Sequence, residues 1–135
     1  MKKPCAILLL VLLCAALSFA ADPVYCKWCG VVDMSGNAGR LVKNYCRTSP
    51  TRKHEPYEGP QRRFYMCKYC ALELPSFEQL ARSPCKKSPQ GYHQAYEGAD
   101  KALYTCKNCQ IELTSLRVLI TSPCKKTPWG YHDPQ

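Results

Sequence analysis

The sequence predicts a small α+β fold made of three tandem modules, each held together by a bound metal ion. Two observations lead to this prediction. The chain has 11 cysteines in 135 residues, a density typical of disulfide scaffolds or metal-binding modules. Nine of the cysteines share one repeated spacing with all three histidines. With three Phe and two Trp available for a core, a large enzyme fold around a deep pocket is not expected.

The first segment, residues 1–21, has the pattern of a secretory signal peptide. Two lysines precede an uncharged apolar stretch over 6–17, and small residues follow at the expected cleavage site, after Ala20 or Ala21. The stretch is shorter than the roughly 20 residues of a membrane span, and no second hydrophobic segment follows. A lipoprotein signal at Cys14 is the alternative, but a leucine precedes it where such signals place a small residue. We expect export to the periplasm or the extracellular space; bacterial export is favoured, and a eukaryotic secretory route stays open.

The remaining nine cysteines and three histidines form three units of one spacing. The first unit reads C-x2-C-x16-C-x7-H, and the other two read C-x2-C-x14-C-x7-H. The predicted modules cover residues 22–59, 60–98 and 99–135. The twelve candidate metal ligands are Cys26, Cys29, Cys46 and His54, then Cys67, Cys70, Cys85 and His93, then Cys106, Cys109, Cys124 and His132.

The repetition extends to the residues between the ligands. Lysine follows each first cysteine, a Ser-Pro or Thr-Pro pair follows each third cysteine, and Tyr-Glu-Gly links successive units. Short runs over 63–67 and 102–106, rich in aromatic and β-favouring residues, predict strands that lead into the C-x2-C turns. The aromatic residues of these runs are predicted to be core.

A capping pattern predicts the helices of the second and third modules. Ser76 followed by Gln79 is a capping box, so a two-turn helix is expected over 76–82, and the equivalent helix over 115–121. The first module has a glycine-rich stretch, 36–39, at the helix positions and two extra residues before its third cysteine. We expect its helix to be shorter or irregular and its metal affinity to be the weakest.

Three cysteines and one histidine in each unit match a closed Cys3His zinc site. A unit of about 39 residues has too small a core to be stable alone, and structural zinc contributes roughly 10 to 16 kcal/mol in finger peptides. We therefore expect three zinc ions, one per module. A disulfide framework, which export favours but which leaves an odd cysteine, stays an alternative, as does iron or an iron–sulfur centre. A redox pair is disfavoured because no βαβ context surrounds any C-x2-C.

The net positive charge is weaker evidence for a nucleic-acid partner than its formal value suggests. The formal net charge of +9 falls to +7 without the two lysines of the signal segment. Three zinc sites of this type, each with one net negative charge, lower it to about +4. Nucleic acid is disfavoured because no continuous basic stripe is visible and because of the export signal. The most basic stretch, 47–63, is the best candidate for an anionic partner such as polysaccharide, lipid headgroup or extracellular nucleic acid.

The second unit resembles a variant of the ββα zinc-finger family. Its cysteine pair, Leu74 and Leu80 fall where that family has its cysteines and two core residues, and the third unit agrees. Cysteine replaces the family's first histidine, and the final spacing is longer than usual. The elements C-K-x-C, C-x-x-[ST]-P and H-x-x-Y-E-G, over residues 25–135, also resemble tandem modules of uncharacterised exported bacterial proteins. The resemblance implies a metal-held repeat protein and no established activity.

Four functions stay open at this point. An exported structural or interaction protein with an unknown protein or anionic partner is favoured, because four protein ligands leave no open metal position. A periplasmic zinc carrier or buffer, a disulfide-stapled secreted binding module and a nucleic-acid-binding zinc finger are the alternatives. Enzyme activity is not expected, because no carboxylate pair, nucleophile–base set or phosphate loop is visible. Trp28 and Trp129 are candidates either for contact with a partner or for packing on a neighbouring module. Glu55 and Asp133 are interpreted as supporting or linker groups beside the histidines. The oligomeric state is not indicated.

Overall fold

The computed structural model describes residues 21–135. The predicted signal peptide, apart from Ala21, lies outside the described residues. Within the described range, no helix has the length and apolar character that crossing a membrane requires.

Each of the three repeats runs strand, strand, helix. The strand pairs are β1 (Val24–Tyr25) with β2 (Val32–Asp33), β3 (Tyr65–Met66) with β4 (Glu73–Leu74), and β5 (Tyr104–Thr105) with β6 (Glu112–Leu113), all antiparallel. The helices are α1 (Ala38–Leu41), α2 (Phe77–Arg82) and α3 (Leu116–Thr121).

The strands are shorter than the sequence predicts. Two residues pair in each strand, whereas runs over 63–67 and 102–106 were expected. Tyr65 is 5% exposed and faces the core, but its neighbour Phe64 is 50% exposed. The prediction that these aromatic residues are core is therefore wrong for Phe64, because the chain still bends through solvent before the hairpin begins.

The helices begin where the capping pattern predicts. The Ser76 hydroxyl oxygen accepts a hydrogen bond from the Gln79 backbone N–H at 3.3 Å, and Ser115 plays the same part for Val118 at 3.4 Å. In the first repeat, α1 has only four residues after its cap, Asn37. The expectation of a shorter first helix is confirmed.

Aromatic side chains of one repeat fill the core of the next. Tyr25 and Tyr57 lie with ring centroids 5.1 and 4.6 Å from that of Phe77 in the second repeat. Met66 and Tyr96 pack in the same way into the core of the third repeat. Packing therefore crosses both predicted module boundaries, after residues 59 and 98, and the repeats form a one-dimensional stack with shared cores.

Hydrogen bonds repeat along this stack with the period of the sequence. The Tyr57 hydroxyl donates to the Tyr96 carbonyl at 3.3 Å, and the Tyr96 hydroxyl donates to the Gln135 carbonyl at 2.8 Å; each bond spans 39 residues. Equivalent positions thus face each other from repeat to repeat.

The residue after the second cysteine has the same backbone conformation in all three repeats, and in the first two it lies at the contact with the next repeat. Gly30, Ala71 and Gln110 all have left-handed backbone conformations, with φ of 69°, 58° and 61°. A Cβ at Gly30 would lie 2.8 Å from the Cα of Glu78, so the glycine lets α2 approach closely. Ala71 is buried in the core that it shares with the third repeat.

The outward end of the third repeat is polar. Thr105, Gln110 and Gln135 stand where the first two repeats place the apolar or small residues that contact a neighbour. These three residues are more polar than their counterparts Met66, Ala71 and Tyr96 in the second repeat.

Each repeat has one left-handed residue that carries a side chain, and in the first repeat this residue is Arg52. Arg52 has φ of 62°, whereas the equivalent positions in the other repeats are glycines, including Gly91 at 78°. A left-handed residue with a side chain costs roughly 1 to 2 kcal/mol, offset in part by the greater chain entropy of glycine. We expect Arg52→Gly to stabilise the first repeat by about 0.5 to 1 kcal/mol.

Urea unfolding in a Trp129→Phe background, where Trp28 is the fluorescence reporter, measures this effect in the first repeat. Gly91→Ala is the matched opposite change. An added Cβ at Gly91 meets no atom within 4 Å, so its cost, about 1 kcal/mol, reflects backbone conformation alone. A loss of stability in Arg52→Gly would contradict the expectation, since the hydrogen bond that Arg52 donates to Tyr45 is exposed.

Candidate metal centres

The four candidate ligands of each repeat converge on one point. In all three clusters the ligand atoms lie within 4.8 Å of one another. The histidine Nδ1 lies 3.4, 3.3 and 3.3 Å from the Sγ of the second cysteine in the three repeats. In the first repeat, Cys26 Sγ and Cys46 Sγ are 3.9 Å apart. Donors held about 2.0 to 2.3 Å from a tetrahedral ion lie about 3.6 to 3.8 Å apart, so the clusters fit such an ion.

A tight turn brings the first two ligands together, as the second repeat illustrates. The Cys67 N–H donates to the Leu72 carbonyl at 2.8 Å, and the Ala71 N–H donates back to the Cys67 carbonyl at 2.9 Å. The Tyr69 N–H also points at the Cys67 sulfur, at 3.4 Å. The turn therefore fixes both sulfurs on one side of the hairpin.

The third and fourth ligands come from the segment after the helix. Cys85 follows two residues after Ser83, the residue that caps α2. The His93 N–H donates to the Ser83 carbonyl at 3.1 Å, and the Lys68 N–H donates to the Gln94 carbonyl at 2.9 Å. An ion at the centre would thus connect the hairpin turn, the end of the helix and the last segment of the repeat.

Burial sets the protonation chemistry of the clusters. The first and third cysteines and the histidine of each cluster are buried, and the second cysteine is half-buried. Burial raises the pKa of Cys29 and of Cys70 to about 12, helped by the neighbouring sulfurs. Burial also lowers the pKa of His93, which keeps its imidazole neutral. At Cys106 burial raises the pKa, but backbone N–H groups and the histidine of the cluster outweigh this effect and lower the pKa to about 6.

Three thiols this close do not all ionise unless a cation lies between them. No disulfide joins any of the nine cysteines within residues 21–135, so each can deprotonate and ligate a metal. The donor set therefore suits a metal ion in each repeat.

Ion pairs hold the fourth-ligand segment against the first turn. Lys27 Nζ lies 2.9 Å from the Glu55 carboxylate, and this contact, with a hydrogen bond from Thr51, lowers the pKa of Glu55 to about 2 against the opposing effect of burial. In the third repeat Lys107 and Asp133 form the equivalent pair at 3.7 Å. The two carboxylates beside the histidines thus support the sites through the recurring lysine.

The structural roles of two sets of residues were not predicted from the sequence. Tyr57 and Tyr96 were noted only as linker residues, although a tyrosine at the same distance after successive histidines is a periodic signal for a packing role. The left-handed position after the second cysteine carried no signal, because Gly30, Ala71 and Gln110 share no side-chain chemistry.

Comparison with protein-family models, with curated proteins and with solved structures finds no match for this chain. Membership of the ββα zinc-finger family and of an exported bacterial repeat family therefore stays a prediction. The chain is a small, cysteine-rich α+β repeat protein with three Cys3His clusters, each of which could hold a metal ion.

Proposed function

We propose that each cluster binds one zinc ion and that the protein is an exported repeat protein with a structural or interaction role. The observation that carries this proposal is the threefold recurrence of four ligand atoms within 4.8 Å of one another, at equivalent points of three stacked repeats. The twelve cysteine and histidine side chains are the proposed ligands. Export rests on the predicted signal peptide alone.

The choice of zinc follows from the donor set. Thiolates with one imidazole in tetrahedral arrangement suit zinc, and four protein ligands leave no position for water or substrate. The proposed role of the metal is therefore structural, and the proposal includes no catalytic residue. Iron bound by the same ligands is the competing assignment.

The small cores of the repeats also support a structural role for the metal. The buried apolar cluster of the first repeat contains only Cys26, Leu41 and Cys46, two of which are ligands. Such a unit buries too little surface to fold by hydrophobic burial alone. Metal coordination would supply the missing stabilisation.

Metal analysis of the protein purified from the exported fraction tests the proposal. We expect close to three zinc ions per chain, nine thiols that become reactive only after zinc is removed in denaturant, and an N-terminus at Ala21 or Asp22. Fully oxidised cysteines would support the disulfide alternative, and iron in place of zinc would change the metal assignment. Free thiols without metal would contradict the proposal.

A zinc carrier or buffer is the second candidate function, favoured by the single-turn α1 and the small buried core of the first repeat. The same zinc-loaded preparation separates the two functions when it is titrated with a chelator. One ion leaving early, without change in far-UV circular dichroism, would favour the carrier. Release of all three ions together with unfolding would favour the structural role.

A further inference from the structure

The loop after the third cysteine has the same rigid form in every repeat. These three loops cover residues 47–53, 86–92 and 125–131, and together we name them the basic strip. The N–H of the third cysteine donates across each loop, to the carbonyls of Arg52, Gly91 and Gly130 at 2.9, 2.8 and 2.8 Å. The serine or threonine of each Ser/Thr-Pro pair is buried beneath its loop. The loops therefore share one backbone form, and their basic side chains lie on the surface.

The basic strip carries charge of one sign. Its three loops contain seven lysines and arginines and no aspartate or glutamate. All seven are exposed, and none forms an ion pair within the described part of the chain. The nearest carboxylates in sequence, Glu55 and Asp133, are paired with Lys27 and Lys107. The basic residues of the loops are Arg47, Arg52, Lys53, Lys86, Lys87, Lys125 and Lys126.

The three loops are continuous along the stack. Lys87 Nζ lies 3.8 Å from the ring centroid of Tyr131, so the second loop contacts the third. A groove of about 480 Å³ lies between the first and second loops, lined by Arg47, Arg52 and Tyr92. The sequence showed no continuous basic stripe because these residues are 39 positions apart, and stacking of the repeats brings them side by side.

Exposed aromatic rings lie among the charges. Tyr92 is 39% and Trp129 40% exposed, and both belong to the basic strip. Their flat faces can cover apolar faces of a ligand, while arginine pairs carboxylate or sulfate with two parallel hydrogen bonds. The matching partner is a linear polymer with regularly spaced negative groups and flat repeating units.

The helices do not offer the surface that reads duplex DNA. Phe77, Leu80 and Ala81 of α2 are buried under the first repeat, and α3 is buried in the same way under the second. On the exposed faces, the basic residues Arg82 and Arg117 are ion-paired with Glu78 and Glu73, so these helices offer no unpaired basic side chain to DNA. The predicted export signal further favours a polymer found outside the cytoplasm.

We infer that the basic strip binds a linear acidic polysaccharide, with its lysines and arginines on the carboxylate or sulfate groups and its aromatic rings on the sugar faces. This inference rests on the proposed interaction role and names the partner for it.

Binding of the full metal-loaded protein to heparin and to polygalacturonate tests the inference, with neutral dextran, a single-stranded oligonucleotide and anionic lipid vesicles as comparisons. We expect binding to both acidic polysaccharides that weakens steeply with salt, and none to dextran. The triple variant Lys86→Glu, Lys125→Glu, Lys126→Glu should bind at least about tenfold more weakly, since each exposed ion pair contributes about 0.2 to 1 kcal/mol. The matched control, Lys43→Glu, Arg63→Glu, Lys101→Glu, changes the net charge equally outside the strip and should bind nearly as well as the native protein.

The metal content of each variant separates failure of the inference from failure of the proposed function. A protein that holds three metal ions but binds neither acidic polysaccharide overturns the inference and leaves the metal proposal intact. Equal weakening in the control triple overturns it in favour of a net-charge effect. Tighter binding to the oligonucleotide or to vesicles than to either polysaccharide overturns it in favour of that partner.

Discussion

The variant His93→Ala is expected to lose the metal of the central repeat and to unfold that repeat. Its four donors become three, and structural zinc contributes roughly 10 to 16 kcal/mol in finger peptides. The loss should spread, because the central repeat receives Tyr25 and Tyr57 from one neighbour and sends Tyr96 into the other. We expect two zinc ions or fewer per chain and a loss of most cooperative thermal unfolding, measured by metal analysis and circular dichroism.

Two further variants test whether the effect comes from the loss of a ligand and whether it differs between repeats. His93→Cys keeps four donors and should retain three zinc ions, which shows whether ligation or mere substitution causes the effect. His54→Ala removes the same ligand from the first repeat, whose buried core is the smallest. It should cost one zinc ion and destabilise the second repeat, which loses the contacts of Tyr25 and Tyr57, while the third repeat stays folded. Three zinc ions and an unchanged spectrum in His93→Ala would show that this histidine is not a ligand.

The variant Tyr96→Ala is expected to uncouple the third repeat from the second. Its ring is buried against Tyr104, with centroids 6.2 Å apart, and its hydroxyl donates to the Gln135 carbonyl. Removing a buried aromatic side chain costs about 3 to 5 kcal/mol. Because repeats interact only through their interfaces, we expect the single urea transition of the zinc-loaded protein to split into two.

Tyr96→Phe is the matched control for this change. It keeps the ring and removes only the hydroxyl, so it should cost about 1 kcal/mol and leave one transition. Both variants should retain three zinc ions, because no ligand is altered. A single transition in Tyr96→Ala, at nearly the native midpoint, would mean that the third repeat does not depend on this contact.

The candidate sites could be predicted from the sequence because their signal is repeated. One histidine at a fixed distance is uninformative, but the same distance after Cys46, Cys85 and Cys124 defines a pattern, and the structure places all twelve side chains in three clusters. The helices of the second and third repeats could also be predicted from the sequence, because the serine that caps each helix bonds to a residue within the first turn. Both signals depend on short spacings in the chain.

The stacking of the repeats could not be predicted in the same way. It depends on which residues face the next repeat, and these lie far apart in the sequence, at the strands, at the turn after the second cysteine and after the histidine. Ala71 and Gln110 adopt the left-handed conformation of that turn without the glycine that usually signals it. The exposure of Phe64 was also missed, because the run 63–67 has strand composition while its first half bends through solvent.

The equivalent contacts between successive repeats have a consequence for how such a chain can change over evolutionary time. A duplicated block covering the central repeat would create one new junction, at which Met66, Ala71 and Tyr96 meet a core that now receives Tyr25 and Tyr57. Length can therefore grow or shrink by whole units of 39 residues without a damaging intermediate. The divergent first repeat and the polar end of the third are the parts that such duplication leaves in place.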